Sequence, residues 1–276
     1  MPNRSSGSSF TTPRLTPGVR KLIIANVGAW ILFLVLLRVS PLAWIADALP
    51  LKPQALLDWQ LWRPFTYMFI HDPASTMHLI MNMLMLFLFG VQLEGMVGTR
   101  KFINIYLLSG LGGAILTVVG AAAGVALAPN SDLAHMWDQP HLGASGAVFG
   151  IILCWGGMLW EQRANFFLLG PMRVRTFVLI IVGIELLGLL SFGGGTSYTA
   201  HFGGMATGFL IGRGRLPVWN ISKFGPKLLR EMMQQQQEKR QAAKRLSTFD
   251  LLDGGLTSRG DDQRWGSNND DDPMVH

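Results

Sequence analysis

Apolar runs long enough to cross a lipid bilayer recur along this chain, and they constrain its fold more than any other feature. A bilayer core takes about 20 mostly apolar residues per helix. Runs of that kind fall at 22–39, 77–93, 102–128, 145–160, 176–192 and 199–212, the last two being short and glycine-rich. Strand alternation is absent, and backbone in lipid must satisfy its own hydrogen bonds. The expected class is therefore all-α: a polytopic membrane protein built as a bundle of six transmembrane helices. Only 14% of the residues are charged, against about 25% in a soluble domain.

The formal charge of +6 resembles a nucleic-acid signal only in total. The basic residues stand beside apolar runs and in the C-terminal tail, where orientation signals and contacts with membrane lipid belong. No nucleic-acid partner is expected. Arg14, Arg20 and Lys21 precede the first run, and Arg100 and Lys101 separate the second from the third. Arg163, Arg173 and Arg175 lie between the fourth and fifth, and Arg213 and Arg215 follow the sixth. The loops 129–144 and 193–199 carry no Lys or Arg, while 40–76 has only Lys52 and Arg63, with Arg38 just before it. This alternation predicts both termini on the cytoplasmic side. A bacterial plasma membrane is the expected location.

The remaining segments divide by composition. Residues 1–19 read as a disordered cytoplasmic leader; its Ser- and Arg-rich, acid-free start faintly resembles an organelle transit peptide. A cleaved signal peptide fits poorly, because about 20 polar residues precede the run and Arg38 follows it. Residues 20–215 form the six-span domain. Residues 216–246 read as a basic cytoplasmic helix, on the anionic leaflet or solvated. Residues 247–276, ending in Asp270, Asp271 and Asp272, read as a disordered acidic tail. The single cysteine, Cys154, excludes an intrachain disulfide.

Polar groups within spans are expensive and each needs a reason. His78 and Asn82 are four residues apart, hence on one helical face. Ser145 opens the fourth run and His201 the sixth. Each alone reads as an interhelical hydrogen-bonding group. Together they differ, because the predicted topology sets all four in the same leaflet, near the outer ends of descending helices. Gly146 and Gly150, like Gly204 and Gly208, are four apart and give each helix a stripe for close backbone approach. Packing along these stripes would bring Ser145 to His201. A serine needs a neighbouring base to become a nucleophile, and acyl transfer needs donors for an oxyanion. Ser145 stands at a helix start with unpaired N–H groups. Gly143 and Gly146 leave room for a substrate carbonyl.

These residues resemble the rhomboid family of intramembrane serine proteases over about residues 20 to 213. The matching elements are GxSGxxxG at Gly143, Ser145, Gly146 and Gly150, and AHxxGxxxG at Ala200, His201, Gly204 and Gly208. The pair His78 and Asn82 and the dipeptide Trp62-Arg63 match as well. The resemblance implies a Ser145–His201 dyad that requires no carboxylate. It implies an oxyanion hole lined by His78, Asn82 and the Ser145 N–H, and a structural first loop holding Trp62 and Arg63. Glu94 resembles a position that braces a neighbouring loop. Phe149 stands where some members have a tyrosine against the histidine; its ring retains the packing but not the hydroxyl. The implied substrates are single-span or other transmembrane proteins, with no cofactor and no metal.

Other candidates carry less. Asp132 and Asp138, imagined as a third triad member, read as solvated loop acids. His71, His135 and His141 have no HExxH or cysteine pair beside them to suggest a metal. Glu185 is an intramembrane acid, flagged as functional by default but readable as a partner for any nearby polar group. A proteolytically inactive client-binding relative is disfavoured by the presence of Ser145, His201, His78 and Asn82. A small transporter is disfavoured because no inverted repeat is visible.

Overall fold

A computed structural model of the chain describes residues 14–166, 170–192 and 198–218, all within the unit Met1–Trp219. Helix α1 (Pro17–Arg38) begins with proline at its first turn, where a missing N–H costs nothing. Three residues assigned to the leader are therefore helical. The first loop carries two short helices, α2 (Ala43–Asp47) and α3 (Arg63–Thr66), among 3₁₀ turns. Then follow α4 (Thr76–Val97), α5 (Thr99–Leu127), the single turn α6 (Asp132–His135) and α7 (Ser145–Met158). Strands β1 (Arg163–Phe166) and β2 (Gly170–Arg173) pair antiparallel, with Arg163 opposite Arg173. Helices α8 (Val174–Phe192) and α9 (Tyr198–Gly212) complete the described chain.

The class is helical and membrane-spanning, as expected. Among the described residues α1, α4, α5 and α8 are long and apolar enough to cross a membrane. The other two apolar runs form shorter helices, α7 of 14 residues and α9 of 15. The fifth run is thus full length, and the short ones are the fourth and sixth. The β hairpin corrects the expectation of a purely helical chain: Phe166 in β1 stacks on Phe177 of α8 at 4.1 Å between ring centroids, giving the short strand an apolar anchor. The expected leader up to residue 13, and the basic helix and acidic tail from residue 219 onward, lie outside the described residues.

The centre of the bundle is α7 packed between α5 and α9, and small residues make it possible. A Cβ added at Gly204 would collide with the Gly146 carbonyl, and one at Gly208 with the Gly150 carbonyl. In turn, a Cβ at Gly150 would strike Ser109 of α5. Lipid supplies no hydrophobic drive for helix association, so such van der Waals contact between backbones has to hold the helices together.

The first loop is built around Arg63. Its guanidinium donates to Gln60 Oε1 at 2.7 Å and to the carbonyls of Asp47 and Pro50 at 2.8 and 2.6 Å. Trp62 Nε1 donates to the Ala48 carbonyl at 2.9 Å. Loop one also grips the segment that leads into α7. Leu51 and His141 exchange backbone hydrogen bonds of 2.8 and 2.7 Å, Gly143 N–H donates to the Tyr67 carbonyl, and Ala144 N–H points at His71 Nε2 at 3.4 Å. Glu94, deep in α4, accepts from the N–H groups of Gly18 and Val19 at 2.8 and 2.9 Å. It also accepts from the hydroxyls of Thr16 and Thr99. It caps α1 and so braces a helix start as well as the α4–α5 corner.

Two predictions follow from this packing. Gly208→Val pushes a branched side chain into the Gly150 carbonyl and costs about 3 kcal/mol or more. The apparent Tm in detergent should drop sharply; an unchanged midpoint would mean the α7 and α9 backbones do not meet there. The second concerns His71, which is fully buried. Burial, with His78 beside it, pushes its imidazole down to about 4. Its ordinary value is about 6.5. Stability from His71 is therefore complete above about pH 6.5 and is lost as pH falls toward about 4. Melting curves across that window should slope less steeply for His71→Gln than for wild type, and identical slopes would exclude the imidazole as the source.

Candidate active site

Helix α7 is short for a reason that matters to the site. Fourteen residues at about 1.5 Å each give roughly 21 Å, well under a bilayer core of about 30 Å. Its first residue, Ser145, therefore need not sit at the membrane surface. The chain reaches it through Gly143, whose φ of +129° favours glycine and where a Cβ would meet His78 Cε1 at 3.1 Å. Ala144 acts as N-cap, so the N–H groups of the first turn have no carbonyl partner within the helix.

Ser145 Oγ lies 2.7 Å from His201 Nε2. The two come from α7 and α9, 56 residues apart in the chain, and the glycine contacts set their separation. The imidazole is fixed on its other side too: His201 Nδ1 lies 2.6 Å from Glu185 Oε2, on α8. A carboxylate acceptor at Oε2 pairs with the tautomer that carries its proton on Nδ1, the one in which Nε2 presents a lone pair to the serine hydroxyl. Both side chains are largely shielded, at 12% exposure for His201 and 14% for Glu185. Phe149, one turn below Ser145, packs its ring against the imidazole at 4.6 Å between centroids and a tilt of 48°. Tyr198 meets the same ring edge-on at 6.1 Å. The histidine thus has a tyrosine neighbour, supplied by α9.

These groups open onto a cavity of about 270 Å³. Ser145, His201, His78, Asn82 and Glu185 are the polar residues among those that line it. Met81, Met85, Val148 and Ile152 supply an apolar wall. Asn82 Nδ2 donates to the His78 carbonyl at 2.9 Å, which fixes the amide along α4 while leaving it a second proton to donate. The His78 ring is set edge-on to His71 at 5.7 Å. The arrangement has the parts acyl transfer requires: a nucleophile on a base, donors beside it and a void for a carbonyl.

Several sequence candidates lie elsewhere. Trp62 and Arg63 belong to the first loop, away from the cavity. Asp132 and Asp138 are exposed and do not line it. His71 props the turn before Ser145, and His141 Nε2 lies 3.0 Å from the Met136 carbonyl. Among the described residues no three His, Cys, Asp or Glu side chains gather into a metal-holding group. Glu185 is the residue whose place sequence reasoning missed. Its charge in a span was visible, but nothing in sequence linked it to His201.

A family model of the Rhomboid domain matches residues 58–217. RHOMBOID-like protein 4 of Arabidopsis thaliana is 34% identical, over 55% of this chain and 33% of that protein. RHOMBOID-like protein 6, mitochondrial, from the same plant is 32% identical, over 59% of this chain and 48% of that protein. Rhomboid-like protease 3 of Toxoplasma gondii is 32% identical, over 57% of this chain and 52% of that protein. The chain thus spans about a third to a half of the length of these relatives. The Rhomboid match covers more than half of the 276 residues and includes Ser145, His201, His78 and Asn82: the chain belongs to the rhomboid family.

Proposed function

We propose that this protein is an intramembrane serine endopeptidase that cleaves transmembrane proteins within or near their spans. The observation that carries the reading is the 2.7 Å contact between Ser145 Oγ and His201 Nε2 at the start of a short helix. His201 removes the hydroxyl proton as Ser145 attacks the scissile carbonyl. The oxygen that gains the charge is held by the Ser145 N–H, with His78 and Asn82 donating from α4. His201 then passes its proton to the leaving amine, and the acyl-enzyme remains. A water molecule, deprotonated by the same imidazole, releases the acid and restores the serine.

Substrate reaches such a site laterally. A regular helix hides its peptide bonds, so a span containing Gly or Pro would unwind locally and present an extended segment to Ser145. The apolar wall of Met81, Met85, Val148 and Ile152 suits such a segment. The loop charges support cytoplasmic termini, with the site toward the outer face. The division into a leader, a six-span protease domain, a basic helix and an acidic tail belongs to this proposal, with the leader ending at residue 16, before α1. So does residence in a bacterial plasma membrane, to be checked by fractionation.

In liposomes, Ser145→Ala and His201→Ala should abolish cleavage of a single-span substrate while leaving the fold intact. A fluorophosphonate probe should label the wild type and not Ser145→Ala. Undiminished cleavage by Ser145→Ala would remove the mechanism, and an inert wild type would point to a client-binding, non-proteolytic relative. Asn82→Ala and His78→Ala should each lower kcat by about 10²-fold if they hold the oxyanion. Replacing the helix-breaking residues of a substrate span with leucine should slow cleavage, and an unchanged rate would argue against local unwinding.

A further inference from the structure

Helix α8 is a poor place for a carboxylate. Its 18-residue apolar window is only 17% buried, the least of the four long spans, and Ile184, Leu186 and Leu187 around Glu185 are well exposed. A charge carried on such a helix is costly unless it is turned inward and paired. Glu185 is turned inward, 14% exposed at its side chain, and its partner is the imidazole that contacts Ser145. Tethering α8 to α9 does not need an acid, since a serine, threonine or asparagine would hydrogen-bond across the helices without a charge.

We infer that Glu185 is a positioning residue that completes a Ser145–His201–Glu185 triad in place of a two-residue dyad. The inference rests on the protease reading above and assigns a further residue to it. Glu185 acts through His201 in two ways. In the ground state its Oε2 accepts the Nδ1 proton, holding the tautomer whose Nε2 can take a proton and fixing the ring plane together with Phe149. During attack the Ser145 proton moves to Nε2 and the ring becomes an imidazolium, while the Nδ1 proton stays shared with the carboxylate. Glu185 takes no net proton; its negative charge offsets the positive charge that forms in a site shielded from water. The other titratable groups near this end of the bundle are His71, His78, Tyr198 against the imidazole, and Asp72, whose carboxylate acts on His78; the carboxylate in contact with His201 Nδ1 is that of Glu185.

The test uses full-length protein in proteoliposomes with a single-span fluorogenic substrate, comparing wild type, Ser145→Ala, Glu185→Gln, Glu185→Asp and Glu185→Leu. Each variant is checked for a monodisperse elution peak and its melting midpoint. Glu185→Gln should lower kcat by about 100-fold with KM changed by less than about twofold. Glu185→Asp should recover part of that loss. Glu185→Leu, which suits the helix better than the acid, should be as stable as wild type and as slow as Glu185→Gln. The rate of fluorophosphonate labelling at Ser145 should fall in parallel. Glu185→Gln or Glu185→Leu retaining kcat within about threefold of wild type, with only the midpoint shifted, would overturn the inference and make Glu185 an interhelical tether. In that outcome the protease reading stands, because wild type still cleaves and Ser145→Ala does not. Wild type that neither cleaves nor labels overturns both.

Discussion

The contact between the backbones of α7 and α9 is what the rest of the structure depends on. Gly146 meets Gly204 and Gly150 meets Gly208, each with a carbonyl where a side chain would otherwise stand. Helices in lipid gain little from burying apolar surface, so their association relies on close van der Waals contact and on hydrogen bonds across the interface. Such contact is steep in distance, and that steepness is what makes it useful. Ser145 and His201 extend only a short way from two backbones held in register, so the separation of Oγ and Nε2 varies little. The same principle joins α5, where Ser109 fills the space beside Gly150 and Gly112 approaches Gly203.

Around that rigid centre, polar groups are spent where backbone needs them. Arg63 satisfies carbonyls of the first loop, Glu94 caps the start of α1, and Tyr67 and Tyr106 donate to the carbonyls of Gly110 and Met68 at 2.6 and 2.9 Å. Each of these is a side chain satisfying main-chain atoms that could not otherwise be buried away from water. The turn into α7 is held separately, by Gly143 N–H on the Tyr67 carbonyl and Ala144 N–H against His71 Nε2. The exposed tryptophans Trp44, Trp59 and Trp62 of the first loop suit the membrane–water boundary, where indole rings find both apolar and polar surroundings.

Much of this was legible in the chain. The apolar runs outlined the helices to within a few residues, since length and hydropathy are local properties. The glycine spacings announced which helices would approach closely, and the pair His78–Asn82 announced a polar face on α4. The β hairpin was not legible, because its strands are four residues each and its anchor is a stacking contact with Phe177. Glu185 was visible as an intramembrane acid without a named partner, and only three-dimensional placement set it against His201 while leaving Asp132 and Asp138 exposed.

Sequence alone determined that the chain is a helical membrane protein, which spans its apolar runs occupy, and which few polar residues lie within them. Those follow from the cost of exposing backbone or charge to hydrocarbon, a cost paid residue by residue. The tertiary structure decided what those polar residues face. A helix apolar on every side carries no mark of its inward face, so the rotation of α8 about its own axis could not be read from its residues. Packing against α7 and α9 sets that rotation, and it alone turns Glu185 onto His201 instead of toward lipid.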